Sequence, residues 1–358
     1  MGLRFRTAGE SHGPALAALV EGLPSGLPVD RARLDADLAR RQGGYGRGGR
    51  MAIETDRVEI LSGVRWGKTT GAPVLLTIRN RDAENWRGGL SPDAADRGSI
   101  PAVKGARPGH ADLPGALKFD LWDARDVLER SSARETAARV AAGALAKALL
   151  AEFDVGVGSF VTSVAEVEAR WSADQGFPTL HAAAEGARLR LPDPEADERA
   201  VARVDAARAE GDTLGGTFVC FATGVPVGLG SHTEADRRLD GRLGAAFLSI
   251  PAIKGVEIGL GFLGAALPGS CVHDEIFPGG PGDGRRGNVR RSTNRAGGLE
   301  GGITNGEDLW VRAAMKPIPT LMRPLRTVDL TTGEAAVAST ERSDVCAVPA
   351  ASVVGEAS

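Results

Sequence analysis

Two histidines stand in turns built of small residues: His12 in "AGESHGP" and His110 in "RPGHADLPG". Neither falls on an apolar helical face, where packing would explain it. A glycine-flanked turn can bring an imidazole against a ligand, and histidine exchanges protons near neutral pH, so two such turns could serve two proton transfers. His181, His232 and His273 lack this setting and are read as structural or exposed. Three further stretches ask for an anion. Arg40–Met51, "RRQGGYGRGGRM", holds four arginines, five glycines and the only tyrosine. Guanidinium forks match phosphate and carboxylate, and the glycines permit a loop that wraps closely around a ligand. In "ERSSARE", Glu129–Glu135, the serine hydroxyls, helix-start amides, Arg130 and Arg134 make a phosphate seat, although a capping box would explain Ser132 and Glu135 alone. In "ERSDVC", Arg342 and Asp344 are either a surface ion pair or part of a site.

The elements that must position these groups can be read from period and punctuation. "LRFRTAGESHG" starts as a strand and breaks at Gly9. "VDRARLDADLARRQGG" predicts a helix capped by Asp30, with Leu34 and Leu38 on one face and Gly43 and Gly44 as the stop. "MAIETDRVEILSGV" alternates like two strands turning at Thr55-Asp56. Residues 79–109, rich in Gly, Pro and Asp, predict a long functional loop. "SSARETAARVAAGALAKALLAEF" predicts the strongest helix, with Ser132 and Glu135 at capping-box spacing. A charged helix over 195–210, a strand run "TLGGTFVCFATG", a helix in "DRRLDGRLGAAFLSI" and a strand "DLWVRAAM" follow, then a stiff "KPIPT" turn. The 280s look like an exposed excursion. Helices and strands do not alternate regularly, so the fold class is α+β in one domain spanning 1–358, with no dividing linker.

Two familiar motifs fail on context. Gly44–Gly49 spells G-x-G-x-x-G but follows a helix and leads into a strand, the reverse of a dinucleotide-binding turn. "GVRWGKTTG" has three residues between its glycines where a P-loop has four, so its amides would not cradle phosphate in that way.

Bulk properties narrow the class. Net charge is −3 over 358 residues with 4% aromatics, which speaks against a nucleic-acid or membrane-surface binder despite the "GRGGR" and "RGG" text. Lysines are few beside arginines, which with the alanine excess fits a GC-rich genome, so arginine position carries more meaning than arginine number. Cys220, Cys271 and Cys346 are widely spaced, which suits a reducing compartment and predicts neither a disulfide framework nor a metal site. No signal peptide and no long apolar run is evident, so the expected location is cytoplasmic.

Taken in order, "AGESHGPAL", "RRQGGYGRGGRM", "SGVRWGKTTGAP", "RPGHADLPG", "LERSSARETAARVAAGAL", "GDTLGG", "IKGVEIGLGF", "GGITNG", "MKPIPTL" and "ERSDVCAVPAA" resemble the chorismate synthase family over nearly the whole chain. The resemblance implies a β-α-β sandwich, helices between antiparallel sheets, assembled as a homotetramer. It implies a lyase that uses reduced FMN to convert 5-enolpyruvylshikimate 3-phosphate to chorismate by 1,4-elimination of phosphate. Carried over by position, His12 is the acid for the departing phosphate, and His110 and Asp344 handle protons at the flavin. Substrate binding carries over to Ser11, Arg41, Arg47, Arg50, Arg107, Ser132, Arg134 and Arg342. FMN binding carries over to Arg130, Ser131, Ser132, Pro251, Ala252, Gly301, Lys316, Pro317, Ile318, Pro319, Thr320 and Arg342. In some members Arg41 and Arg47 are also assigned to nicotinamide nucleotide, with NADPH as a source of reducing equivalents. An NADPH-dependent flavin reductase is the alternative reading. Pro251 stands where many relatives have Asn or Gln, and relatives usually continue past "VVGEA".

Overall fold

The structure is a computed structural model describing residues 2–48, 54–280, 288–341 and 343–358; Arg50, Arg342 and most of the expected 280s excursion lie outside the described residues. Chain alternation builds the first sheet. Strands β1 (Arg4–Ala8), β2 (Ala15–Glu21), β3 (Glu59–Ser62) and β4 (Val74–Arg79) pair antiparallel in the order β1-β2-β4-β3. Along β2, Leu16, Ala18 and Val20 point inward, directly opposite Ile78, Leu76 and Val74 of β4. Period-two burial on one face is what fixes this register.

The second sheet is also antiparallel. Strands β5 (Gly156–Val164), β6 (Val167–Glu168), β7 (Gly216–Thr223), β8 (Ile253–Ile258) and β9 (Leu309–Met315) run in the order β8-β9-β7-β5-β6. Both faces are covered at its centre, so β5 is buried from Gly158 to Val164 and β7 from Phe218 to Phe221 without alternation. Phe160, Val219, Phe221 and Trp310 form a satellite cluster with Phe177 and Leu180 of a covering helix. Val161, Phe218, Cys220, Val311 and Ala313 turn the other way, into the main core.

Three helices meet that core: α1 (Arg31–Gln42), α4 (Thr136–Ala151) and the C-terminal α8 (Val348–Glu356). Helix α4 packs on β1, β2 and β4, α8 packs on β5 and β7, and the three helices contact one another. Helix α8 is buried at all nine positions, as befits a helix apolar on every side until Glu356. The longer of the remaining helices are α2 (Asp112–Phe119), α3 (Arg125–Ser131), α5 (Phe177–Glu185), α6 (Pro194–Glu210) and α7 (Leu239–Leu248). Mixed helix and antiparallel sheet is the α+β class expected. Among the described residues no helix is long and apolar enough to cross a membrane.

Local readings mostly hold. Asp30 caps α1 by accepting from Ala32 N at 2.9 Å, and α6 starts at Pro194 behind the Asp193 cap. Residues 79–109 carry only the short 3₁₀ turns Arg81–Trp86 and Ala94–Asp96. "GVRWGKTTG" is a tight hairpin, Val64–Arg65 against Lys68–Thr69, turning through Trp66 and Gly67 at positive φ. Of the strand pair expected around Thr55-Asp56, the first arm at 51–53 lies outside the described residues and the second is the strand Glu59–Ser62; Glu54 and Asp56 between them are buried as counter-ions. One reading is corrected: the capping box is not formed. Ser132 accepts from Arg134 N, but Glu135 is drawn away by Thr7, whose hydroxyl donates to it at 2.7 Å.

Candidate functional site

A cavity of about 500 Å³ opens where the β1–β2 turn, the loop after α1, residues 107–111, the α3–α4 junction, Pro251-Ala252, the "KPIPT" turn, Glu341 and residues 343–347 converge. Its size is that of a small-molecule or cofactor site. Sixteen sequence-predicted residues line it: Ser11, His12, Arg41, Arg47, Arg107, His110, Ser131, Ser132, Arg134, Pro251, Ala252, Lys316, Ile318, Pro319, Thr320 and Asp344. Three do not. Arg130 is exposed and donates to Thr7 O at 2.9 Å at the end of β1, Pro317 turns outward, and Gly301 sits in an exposed turn between Leu299–Glu300 and Ile303–Thr304.

Each histidine comes with a buried carboxylate. His12 Nδ1 lies 2.8 and 3.1 Å from the two oxygens of Glu129, and its backbone N donates to Glu129 Oε2 at 2.8 Å. Its ring stacks on Trp86, with centroids 4.3 Å apart. Burial alone would raise the Glu129 carboxyl, but the hydrogen bonds from His12 and the nearby Arg125 hold it below its ordinary value. His110 Nδ1 is 2.5 Å from Asp112 Oδ1, and Arg107 Nε donates to Asp112 Oδ2 at 2.8 Å. Asp112 is fully buried. That desolvation opposes its charge, yet His110 and Arg107 together hold it well below the usual carboxylate range.

The arginines are oriented by groups behind the cavity wall. Arg134 donates to Asn80 Oδ1 at 2.9 Å and pairs with Asp56 at 2.7 Å. Arg41 reaches the same carboxylate at 3.4 Å and also donates to Thr136 Oγ1 and Ala133 O. Burial pushes the Arg41 guanidinium down to about 9, with Arg134 and Arg47 adding to the effect against Asp56 and Asp344, so it stays cationic at neutral pH. Arg134 Nη2 is buried without a hydrogen-bond acceptor among the described residues and lies 3.8 Å from Glu54. A buried donor in that state favours an incoming anion. Arg107 Nη1 donates to Thr320 Oγ1 at 2.8 Å, and the Lys316 ammonium donates to Gly109 O. Burial and the nearby Lys254 lower Lys316.

The loop after α1 is zipped to the segment before α8. Val345 N donates to Gly46 O at 2.8 Å, Gly48 N donates to Asp344 Oδ1 at 2.6 Å, and Arg47 pairs with Asp344 at 3.1 Å. The close approach needs glycine. A Cβ on Gly48 would lie 2.6 Å from Ser343 O, and Gly46 has φ +84°. Behind the loop, Tyr45 donates to Asp205 at 2.6 Å while the guanidinium of Arg188 lies over its ring. Sequence reasoning missed the second layer: Glu54, Asp56, Asn80, Trp86, Asp112, Arg125 and Thr136. Only Asp112, two residues past His110, carried a local signal.

Cations, two carboxylate-held imidazoles and an apolar wall of Ile250, Pro251, Ile318, Pro319 and Val354 suit a polyanionic ligand with a flat body. The comparisons agree on a family. The family model described as chorismate synthase matches residues 3–358. Relatives named chorismate synthase include those of Geobacter sulfurreducens (57% identical, 99% of this chain and 91% of the relative) and Symbiobacterium thermophilum (58%, 99% and 90%). A solved structure titled "Crystal Structure of Chorismate Synthase" is similar at a TM-score of 0.79 and 44% identity, covering 100% of this chain and 89% of that one. The chain belongs to the chorismate synthase family.

Proposed function

We propose that this cavity eliminates phosphate from 5-enolpyruvylshikimate 3-phosphate to give chorismate, with reduced FMN as cofactor. Family membership assigns the chain to the lyases of this last common step toward the aromatic amino acids. The observation that carries the reading is the convergence of Arg41, Arg47, Arg107 and Arg134 with His12 and His110 on one cavity. The substrate brings one phosphate and two carboxylates, and the cofactor another phosphate. Arg134, with a buried donor that has no acceptor among the described residues, fits such a group.

The reaction breaks a ring carbon–oxygen bond to phosphate and a ring carbon–hydrogen bond, with no net oxidation. Reduced FMN, when bound, supplies electron density that helps the phosphate leave. Ser131, Ser132, Pro251, Ala252, Lys316, Ile318, Pro319 and Thr320 would hold it, and the pre-stiffened "KPIPT" backbone loses little freedom in doing so. Arg130, Pro317, Gly301 and Arg342 join that set on family resemblance alone, as Arg50 and Arg342 do for the substrate. His12 gives a proton to the departing phosphate, Ser11 and Ser132 hydrogen-bond each other at 3.0 Å beside it, and His110 and Asp344 hold the protons that balance the lost ring hydrogen. Enclosure by the apolar wall strengthens each of these charge interactions.

The same reading makes residues 1–358 one catalytic domain, a sandwich of two sheets around α1, α4 and α8, working in the cytoplasm as a homotetramer. Exposed apolar side chains such as Leu117, Phe119, Trp122 and Phe262 support burial against further copies. The test is anaerobic chorismate formation by the purified chain with chemically reduced FMN and the shikimate phosphate. Turnover is expected. A folded, flavin-binding chain that forms no chorismate overturns the reading, and NADPH oxidation without substrate would favour a flavin reductase.

A further inference from the structure

We propose that Glu129 is a positioning residue for His12: its carboxylate fixes the neutral imidazole as the tautomer with hydrogen on Nδ1 and so assigns Nε2 to the cavity as the proton-donating nitrogen. The proposal rests on the reading of His12 as the acid for the departing phosphate. Its geometry stands apart from that reading. Glu129 is buried at 3% exposure, with His12 beside it at 8%. One oxygen, Oε2, accepts from His12 N, which can only donate, and the other, Oε1, lies 2.8 Å from Nδ1. A carboxylate can satisfy both contacts only by accepting, so Nδ1 carries the hydrogen.

The rest of the surroundings hold the pair in place. Ser11 N donates to Glu129 O at 3.0 Å, tying the turn to α3 from the backbone side. Trp86 covers one face of the ring, and the Arg125 guanidinium lies 4.9 Å from the Trp86 centroid and 3.5 Å from Glu129 Oε1. Among the described residues the charged groups around the dyad include Arg125 and Asp126 on α3 and Glu341, which Arg125 reaches at 3.3 Å from the segment ahead of Asp344. The acid in the transfer is the imidazolium, whose Nδ1–H Glu129 accepts. In the transfer the Nε2–H bond breaks, an O–H bond forms on the departing phosphate, and the electron pair stays on Nε2. The neutral ring left behind is the Nδ1–H tautomer that Glu129 already holds, so no hydrogen bond needs rearrangement.

Glu129→Gln tests this without changing shape. The amide has one accepting and one donating end. His12 N must take the oxygen, which leaves the amide NH₂ facing Nδ1 and turns the neutral ring into the Nε2–H tautomer. Histidine ¹⁵N NMR of the full chain without substrate reads this directly, with the His12 signal assigned from His12→Ala. The expected wild-type spectrum has a protonated Nδ1 and an unprotonated Nε2 on the neutral ring, and Glu129→Gln inverts the two. In turnover, Glu129→Gln is expected to lose about 10²-fold or more at neutral pH, with the high-pH limb of kcat moved to lower pH and KM little changed. A wild-type ring with hydrogen on Nε2 overturns the proposal without any variant. So does a Glu129→Gln protein whose tautomer and pH limb match wild type. If the tautomer inverts but the wild-type chain forms no chorismate, the positioning role stands and the functional reading fails.

Discussion

Asp344 and Arg47 are paired at 3.1 Å, and the second Asp344 oxygen accepts from Gly48 N at 2.6 Å. Both carboxylate oxygens are thus committed to the arginine loop before any ligand arrives. On the proposed function, an entering anion competes with Asp344 for Arg47, and success frees an Asp344 oxygen for proton work. Asp344→Asn keeps an acceptor for Gly48 N but removes the charge. The expected outcome is a fall in turnover of about 10²–10⁴-fold with substrate affinity held or tightened. Stopped-flow turnover beside equilibrium binding separates the two, and unaltered turnover would remove Asp344 from the chemistry.

Gly48 is the tightest point of that zipper. An alanine methyl would sit 2.6 Å from Ser343 O, a backbone atom that cannot swing aside. Gly48→Ala should push the loop off Asp344 and weaken substrate binding more than it lowers global stability, because the loop lies at the rim of the cavity and outside the core. Calorimetric binding and a thermal melt on the same sample give the comparison. Unweakened binding would show that the loop does not close on the ligand as drawn.

Asp56 is the shared counter-ion of Arg41 and Arg134, both almost fully buried. Asp56→Ala leaves two desolvated guanidinium groups without it, a change that costs about 3–5 kcal/mol in comparable buried pairs. Urea unfolding should show the loss, and added phosphate should restore part of it by taking the place of the carboxylate. A variant as stable as wild type would mean that Glu54 alone suffices.

What was legible in the sequence follows the range of the physics involved. The Asp30 cap, the Leu34/Leu38 stripe and the alternation in β2 are set by neighbours a turn or a pleat away, and they stand in the structure as read. Sixteen of the expected site residues, carried over by family resemblance, also meet in one cavity. What could not be read was the layer behind them. Glu129 stands 117 positions from His12, and Asp56 stands 78 from Arg134. No periodicity encodes such partners. The same long-range pairing explains the misread capping box, for Glu135 was drawn out of it by Thr7.

Glu356 anchors the C-terminal helix from below the cavity wall that Ala350, Ala351 and Val354 supply. It is 7% exposed and takes Arg40 at 2.7 Å, Lys147 at 3.1 Å and the Ser159 hydroxyl at 2.6 Å. Burial opposes its charge, but Arg40, Lys147 and Ser159 outweigh that and bring its carboxyl from 4.5 down to about 2. Glu185, paired with Arg40 and Arg190, is likewise brought to about 2. A carboxyl depressed in the folded state is protonated first in the unfolded chain, so its stabilisation is complete above the unfolded value and is lost as pH falls toward the folded one. For Glu356 this amounts to about 3 kcal/mol, present at pH 6 and draining away between about pH 5 and 2. Glu356→Gln should lower stability at pH 6 and flatten its pH dependence over that window, read by urea unfolding at stepped pH. A variant whose stability keeps the wild-type slope between pH 5 and 3 would assign acid sensitivity to Glu185 and to Asp112, where His110 and Arg107 depress another buried carboxyl.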